Sequence, residues 1–288
     1  MKPAPFEYAA PRSLEEALAL LAEHGLDAKA LAEGQSLLPL LHRRRLRPRL
    51  VVDLNRIAGL DHIRMDGGML ALGALVRQST AERSDLVHEI SPLMYEVLPG
   101  LGDVGIRNRG TVVGNLVYAD WGAQPCAVAV TLDAMLCIEG AQGKRALGAV
   151  GFFLGQRRVS LEPDELVSEL RIPAPRPRTG HAWVQVADRH GDLPIVGAAA
   201  VVTLGPDGAC AAARLVFSGV VGVPFDAAGT VGLLAGEQPS GELFAAAGER
   251  AAADADPVSD GRASAGYRRR LVRVLGERAL ALAAERAA

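Results

Sequence analysis

The sequence has few of the residues that build metal clusters or disulfide frameworks. Its 288 residues include only three cysteines, Cys126, Cys137 and Cys210, and no two of them form a CxxC pair. Because an iron–sulfur cluster usually takes four cysteine ligands, this chain is not expected to hold one by itself. The histidines are scattered and suggest no zinc site, since zinc needs convergent ligands. We therefore predict no metal site and interpret each cysteine as a small buried side chain.

Two classes of partner are also not expected. Thirty-one Lys and Arg residues against 33 Asp and Glu residues leave a net charge of -2, which gives no electrostatic reason to expect nucleic acid. The most apolar run, Ile195 to Leu204, has roughly half the ~20 residues that a membrane helix needs, and residues 1–13 contain no signal-peptide core. These absences predict a cytoplasmic protein without a membrane span.

Arginine clusters at 43–49 and at 268–270 allow two interpretations. They could bind anions, or they could be solvated faces of helices. Because acidic residues elsewhere in the chain balance them, we favour solvated faces.

The length predicts two domains. The boundary falls between Ile172 and Gly180, where three prolines interrupt the apolar periodicity. We predict a first domain at 1–176, with subdomains at 1–57 and 58–176, and a second at 177–288. The first helix is signalled by the capping box of Ser13 and Glu16, the run "LEEALALLAEH" and the stop at Gly25.

Two glycine-containing loops have the composition of a phosphate site. The first, "AEGQS" (32–36), lies between a predicted strand at 28–32 and a predicted helix, an order that aims backbone N–H groups at anions. The second, "RNRGTVVGNLVYAD" (107–120), has glycines that allow close approach, together with Thr111 and Asn115 as hydrogen-bonding side chains. Neither loop reads G-x-x-x-x-G-K-[ST] or G-x-G-x-x-G. Two separated loops could instead grip a dinucleotide diphosphate from opposite sides.

At these loops the sequence resembles the FAD-binding medium subunit of the molybdenum hydroxylases, a family that includes carbon monoxide dehydrogenase and the flavin domain of xanthine dehydrogenase. The family's Ala-Gly-Gly-x-Ser and Thr-Ile-Gly-Gly-Asn motifs are matched by Ala32, Gly34 and Ser36 and by Thr111, Gly114 and Asn115. Weaker matches, in the family's order, are "LALGALV", "LEPDELVSELRIP", "ADRHGDLPIVGAAA" and "SDGRASAGYRRRLVRVLGERAL". The resemblance covers essentially the whole chain.

The resemblance implies a fold and a function. The fold is α+β, a two-subdomain FAD-binding fold of the vanillyl-alcohol oxidase and p-cresol methylhydroxylase type, followed by a C-terminal antiparallel sheet with helices. The function is that of an FAD-dependent oxidoreductase subunit. Electrons come from a molybdenum-binding large subunit through the [2Fe–2S] clusters of a small subunit, and FAD passes them to an acceptor.

The resemblance also implies which residues contact FAD. The loop residues around Ser36 and Thr111 face the diphosphate, Asp120 accepts from the ribityl and sugar hydroxyls, and the others approach the flavin ring. The full set is Ala32, Glu33, Gly34, Gln35, Ser36, Thr111, Gly114, Asn115, Asp120, Leu166, Val167 and Arg189. Two alternatives stay open: Leu166 and Val167 could be ordinary core residues, and Arg189 could form a surface ion pair with Asp192.

The sequence departs from the family at several positions. Glu33 and Val113 each replace a motif glycine, and Trp121 and Gln124 replace a proline and an aspartate of the family. A carboxylate should repel a diphosphate, and a β-branched residue tolerates positive φ badly.

Two hypotheses follow from these departures. In the first, FAD is kept because Glu33 turns outward to solvent and Val113 adopts a β conformation. In the second, FAD binding is weakened or lost, and the cleft serves a non-redox enzyme or a scaffold. For that repurposed cleft, His190, Asp192 and Tyr118 are the candidate catalytic residues, as proton-transfer groups.

Overall fold

The N-terminal unit is a small parallel sheet flanked by helices. A computed structural model describes all 288 residues. The central strand of this sheet is β3, which pairs in parallel with β1 on one side and with β2 on the other. The elements are β1 (Glu7–Ala9), α1 (Leu14–His24), β2 (Ala28–Leu31), α2 (Leu37–His42) and β3 (Leu50–Asp53).

Helix α1 begins and ends where its sequence predicts. The Ser13 hydroxyl accepts a hydrogen bond from the Glu16 N–H (3.1 Å), and the Glu16 carboxylate accepts one from the Arg12 N–H (2.8 Å). Gly25 ends the helix with φ +52°, a conformation that costs glycine little. The capping residues therefore fix both ends of this helix.

The second unit is built on a five-stranded antiparallel sheet in the order β4-β5-β10-β6-β7. Its first hairpin turns at Gly67 and Gly68, both at positive φ. Helices between β5 and β6 cover the apolar face of the sheet and join it to the N-terminal unit in one core. The elements are β4 (Ile63–Asp66), β5 (Met69–Gly73), α3 (Gln78–Ala81), α4 (Asp85–Ile90), α5 (Pro92–Val97), α6 (Val104–Arg109), α7 (Val112–Tyr118), α8 (Gln124–Thr131), β6 (Met135–Gly140), β7 (Gly143–Gly148), α9 (Ala149–Phe152), β8 (Phe153–Gly155), β9 (Arg158–Val159) and β10 (Leu166–Pro173).

The C-terminal unit is a four-stranded antiparallel sheet covered by two long helices. Helix α12 packs on β11 and β12 and against α11. Contact with β11 is so close that a Cβ at Gly180 would lie 2.0 Å from the carbonyl oxygen of Ala283. The elements are β11 (Thr179–Val186), β12 (Val196–Leu204), β13 (Cys210–Ser218), β14 (Phe225–Asp226), α10 (Val231–Leu234), α11 (Gly241–Asp254) and α12 (Ala265–Ala287).

Arg268 corrects the expectation of a solvated arginine face at 268–270. Its side chain is 1% exposed, lies over the Trp121 ring at 4.8 Å, and donates to the carbonyl oxygens of Ile195 and Gly219. Asp260 forms its ion pair at 2.7 Å. A buried guanidinium needs such partners, because desolvation of an unpaired charge is costly. Arg268 thus ties the C-terminal unit to the segment that follows α7.

Gly248, on the face of α11 that meets α12, offers a test of this packing. A Cβ there would lie 2.5 Å from the carbonyl oxygen of Arg273, so Gly248→Ala must push the two helices apart. We expect the free energy of unfolding to fall by about 1–3 kcal/mol, as for other overpacked sites. Urea denaturation measures this change.

The control is Gly266→Ala, on an exposed position of α12 where a new Cβ meets nothing within 4 Å. It should leave the free energy of unfolding unchanged or raise it by up to ~1 kcal/mol, because alanine favours helix. Equal effects of the two substitutions would show that the helices do not pack as described.

Candidate functional site

A cleft of about 570 Å³ lies between the N-terminal and second units, and both glycine loops line it. Most of the residues that the sequence singled out meet there although they are far apart along the chain. They are Ala32, Glu33, Gly34, Gln35, Ser36, Thr111, Val113, Gly114, Asn115, Tyr118, Leu166 and Val167.

The first loop turns at Gly34, which has φ +80°. A Cβ at this position would also lie 2.7 Å from the Leu38 side chain, so both conformation and space require glycine. The backbone N–H groups of Gly34, Gln35 and Ser36 have no acceptor within the protein. This loop therefore offers free donors of the kind that hold anionic oxygens.

The second loop begins helix α7 with Thr111 as its N-cap. The Thr111 hydroxyl accepts from the Gly114 N–H at 3.1 Å, and a Cβ at Gly114 would lie only 2.4 Å from that hydroxyl oxygen. Val113 lies in the first turn of α7 and is buried, so the expectation of a β conformation is wrong. Its φ is not positive, and a helical valine at this position carries no backbone strain.

Glu33 does not turn outward, contrary to the first hypothesis. Its side chain is only 4% exposed and lies between the guanidinium groups of Arg77 and Arg109. One carboxylate oxygen contacts Arg77. The other, Oε2, lies 2.7 Å from Nη2 of Arg109 as an ion pair, although it accepts no hydrogen bond. With one negative and two positive charges, the group is net positive. The expected repulsion of a diphosphate by an isolated carboxylate therefore does not apply.

Arg77 belongs to a segment that connects the two loops. The N–H of Gln78 donates to the carbonyl oxygen of Gly110 (2.8 Å), and the N–H of Val112 donates to that of Val76 (3.0 Å). The Arg77 guanidinium also donates to the carbonyl oxygen of Arg109 at 2.9 Å. The second loop is thus attached by backbone pairing to the segment that follows β5, and Glu33 attaches the first loop to the same segment.

Sequence reasoning missed Arg77 and Gln78, although they follow the matched run "LALGALV". The available signal was a cation and an amide directly after a buried strand, where side chains often reach a binding site. That signal has many ordinary explanations, so only the fold singles these residues out.

Two buried amide oxygens in the cleft lack partners. They are Oε1 of Gln78 and Oδ1 of Asn115, both within residues that line the cleft. Leaving a buried acceptor unpaired costs about 1–3 kcal/mol, so such atoms are usually completed by a ligand or by water. A ligand with O–H or N–H donors would complete these two, and its anionic oxygens would meet the free N–H groups of the first loop.

Asp120 is held beside the cleft rather than in its lining. Its carboxylate pairs with Arg157 at 3.1 Å and accepts from the Gly122 N–H at 3.3 Å. The Arg157 guanidinium also lies 4.9 Å from the centre of the Tyr118 ring, in a cation–π contact. Burial, and secondarily the Asp120 charge, raises the pKa of the Cys126 thiol, so this cysteine stays protonated.

The two other residues that differ from the family in this region, Trp121 and Gln124, contact the C-terminal unit. Trp121 lies beneath Arg268, and the side-chain nitrogen of Gln124 donates to the side-chain oxygen of Gln185 on β11 (3.4 Å). Neither side chain lines the cleft. These two changes therefore alter the packing between units and leave the lining of the cleft intact.

The loop of residues 189–192 is exposed and does not line the cleft. Arg189 and Asp192 form a turn, with the Asp192 N–H donating to the Arg189 carbonyl oxygen (3.2 Å), and they form no side-chain ion pair. The turn is attached to the second unit because the Gly102 N–H donates to the Gly191 carbonyl oxygen at 3.0 Å. The structure therefore does not bring His190 and Asp192 together with Tyr118 in the cleft.

Leu166 and Val167 begin strand β10 and are buried where they line the cleft. They are also members of the core shared by the first two units. The core and cleft interpretations of these residues are therefore compatible.

Comparison with known proteins identifies the family over nearly the whole chain. Residues 4–175 match the family described as FAD binding domain in molybdopterin dehydrogenase, and residues 181–283 match the CO dehydrogenase flavoprotein C-terminal domain. The 6-hydroxypseudooxynicotine dehydrogenase complex subunit alpha of Paenarthrobacter nicotinovorans is 37% identical over 287 residues, which are 100% of this chain and 97% of the relative.

Solved structures give the same result. Carbon monoxide dehydrogenase from Hydrogenophaga pseudoflava, in a form that lacks the Mo-pyranopterin moiety of the molybdenum cofactor, superposes with a TM-score of 0.96 at 34% identity and 100% coverage of both chains. Quinoline 2-oxidoreductase from Pseudomonas putida 86 superposes with a TM-score of 0.95 at 33% identity, covering 100% of this chain and 99% of that one.

Fold and cleft together define an FAD-dependent oxidoreductase subunit. The chain belongs to the molybdenum hydroxylase family, as one of its FAD-binding medium subunits. The expected α+β fold, the resemblance and FAD as the cofactor are confirmed. None of the helices combines the length and the apolar character that crossing a membrane requires.

Thr111 allows the capped loop to be tested. Thr111→Val removes the hydroxyl that accepts from the Gly114 N–H, and we expect it to lower the free energy of unfolding by about 1 kcal/mol, as other N-cap losses do. Because the first turn of α7 lines the cleft, FAD affinity should fall as well. Chemical denaturation and titration with FAD, followed by flavin fluorescence, measure the two effects.

The matched control is Thr111→Ser, which keeps the capping oxygen and should retain both properties. Equal losses in the valine and serine variants would contradict the role of the hydroxyl.

Proposed function

We propose that this chain is the electron-transferring flavin subunit of a molybdenum hydroxylase complex. It would receive electrons from the [2Fe–2S] clusters of a small subunit, which are reduced in turn by a molybdenum-binding large subunit, and deliver them to an acceptor. The observation that carries this proposal is the meeting of both motif loops in one cleft, with their anion-binding donors intact.

The geometry supports a set of residues that would hold FAD. The free N–H groups of residues 34–36 and the Ser36 hydroxyl suit the diphosphate, and Thr111 fixes the helix turn that faces them. The unpaired oxygens of Gln78 and Asn115 suit hydroxyl or amino donors of the ligand. The chain thus offers donors for the anionic part of FAD and acceptors for its hydroxyl-bearing part.

The remaining predicted contacts belong to the flavin end. Asp120 keeps lone pairs available beside its contacts with Arg157 and Gly122, so it could accept from ribityl hydroxyls. Leu166 and Val167 would give the ring an apolar surface. Arg189 would act only if its exposed loop approached the ring. Bound FAD would supply a centre that accepts electrons from one donor and releases them to another.

The electrons must come from outside this chain. Its three cysteines lie on separate elements, α8, β6 and β13, and are fewer than the four that an iron–sulfur cluster usually takes. Relatives and solved structures that match the whole chain are named as parts of dehydrogenase complexes or as molybdenum enzymes. A small [2Fe–2S] subunit and a large molybdenum subunit are therefore the partners that we propose.

The alternative, a non-redox enzyme or scaffold with FAD weakened or lost, was motivated by Glu33 and Val113. The first is compensated by two arginines, and the second occupies an unstrained helical position. The proton-transfer group suggested for that alternative is divided between the cleft, where Tyr118 lies, and an exposed loop, where His190 and Asp192 lie. No observation favours this alternative over electron transfer.

Reconstitution tests the proposal. The purified chain should carry flavin, visible by its absorption and by flavin released on denaturation. Mixed with its small and large subunits and a reducing substrate of the complex, the chain should show bleaching of its flavin absorption. The same substrate should leave the flavin oxidised when the small subunit is omitted, because no cluster then connects the two sites.

Two outcomes would contradict the proposal separately. Colourless protein that takes up no FAD on titration would show that the chain does not bind FAD and would contradict the whole proposal. Flavin that is reduced at the same rate without the small subunit would leave FAD in place but overturn the relay.

A further inference from the structure

Glu33 is the polar contact of the Arg109 side chain. Arg109 ends helix α6, its side chain is 64% exposed, and its guanidinium has one polar contact, the 2.7 Å ion pair with Glu33. Arg77 differs, because it also donates to the Arg109 carbonyl oxygen and lies 3.5 Å from the side-chain oxygen of Asn55. Without Glu33, Arg77 would keep partners and Arg109 would have none.

The charges explain why such a group is stable. A carboxylate that is 4% exposed needs strong partners, because removing an unpaired charge from water is costly. Two guanidinium groups supply them. The guanidinium groups would repel each other if Glu33 were absent, since both contact the same carboxylate. The carboxylate is thus the element that holds two like charges together.

We propose that Glu33 is a positioning residue for FAD: it holds the Arg109 guanidinium at the edge of the cleft, where Arg109 provides counter-charge to the FAD diphosphate. Arg109 is not part of the cleft lining, but its ion-pair partner Glu33 and its chain neighbour Gly110 are. Its guanidinium therefore lies behind the part of the lining that carries the free N–H groups of the first loop. The negative residue in the phosphate loop therefore favours diphosphate binding through its partner.

The positioning role predicts a change in FAD affinity opposite to the change that simple charge counting predicts. If Glu33 only repels the diphosphate, Glu33→Gln should tighten FAD binding. If Glu33 positions Arg109, the same substitution should weaken FAD binding by about tenfold, the effect of losing one favourable charge contact. Glu33→Gln keeps nearly the same side-chain volume, so the comparison isolates charge.

The experiment uses the full-length chain freed of flavin. FAD dissociation constants are measured by flavin fluorescence at several ionic strengths for wild type, Glu33→Gln, Arg109→Gln and the double variant. We expect each single variant to weaken binding by about tenfold and the double variant to be no weaker than Arg109→Gln, because both changes remove one contact. The salt dependence of FAD binding should decrease equally in all three variants.

Competition with ADP and with adenosine shows which part of FAD the substitutions affect. ADP carries a diphosphate, whereas adenosine does not, so only ADP should lose affinity in Glu33→Gln and Arg109→Gln. The control variant is Arg83→Gln, which removes one exposed positive charge outside the cleft and should leave all three affinities unchanged.

A purely structural role for Glu33 would give a different result. Glu33→Gln would then lower the thermal stability of the flavin-free chain, while the FAD affinity of the folded fraction and its salt dependence would match wild type. That result, or tighter FAD binding by Glu33→Gln, would overturn the proposal. Should Glu33→Gln fail to fold, Arg109→Gln decides alone, since its side chain is largely exposed: unchanged FAD affinity there would also overturn it.

The inference rests on the proposed placement of FAD in the cleft, and the two can fail separately. Wild-type chain that binds no FAD would overturn both. Wild-type chain that binds FAD, with variants that bind it equally well, would overturn the positioning role and leave the placement of FAD intact.

Discussion

The arrangement of the cleft depends on one buried carboxylate between two guanidinium groups. Glu33 comes from the loop after β2, while Arg77 and Arg109 come from the second unit, so their ion pairs connect two separately built parts of the chain. Backbone hydrogen bonds already join the segments around Arg77 and Thr111. The ion pairs of Glu33 attach the first loop to these two segments. Because a buried charge is stable only with its partners in place, this contact specifies how the two loops face each other.

The glycine positions of the family's two loop motifs have different roles, and only some of these positions tolerate substitution. Gly34 has positive φ and no room for a Cβ, and Gly114 leaves space for the hydroxyl of the N-cap. Val113 and Glu33 occupy neighbouring positions that need neither property. The two replaced glycine positions are thus ones whose backbone conformation in this chain is open to any residue.

The C-terminal unit is positioned by close backbone contact and by one buried cation. Gly180 lets helix α12 approach β11, and Arg268 on that helix reaches Trp121 beyond α7. The same unit carries the exposed turn at 189–192, whose Gly191 carbonyl oxygen accepts from Gly102 in the second unit. The departures at Trp121 and Gln124 therefore belong to an interface between units. Their effect on the flavin end would be indirect, through the placement of that turn.

Local signals in the sequence determined several elements: capping residues predicted the ends of α1, and the residues of the two loops carried the resemblance to the FAD-binding family. These features depend on residues that are near each other along the chain, so a single sequence contains them. The environment of Glu33 was misjudged, because the charges that neutralise it come from Arg77 and Arg109, far along the chain. The burial of Arg268 was missed for the same reason. Only the tertiary structure brings such residues together. The partners of a charged side chain and its distance from water decide whether it repels a ligand, binds it or holds another residue in place.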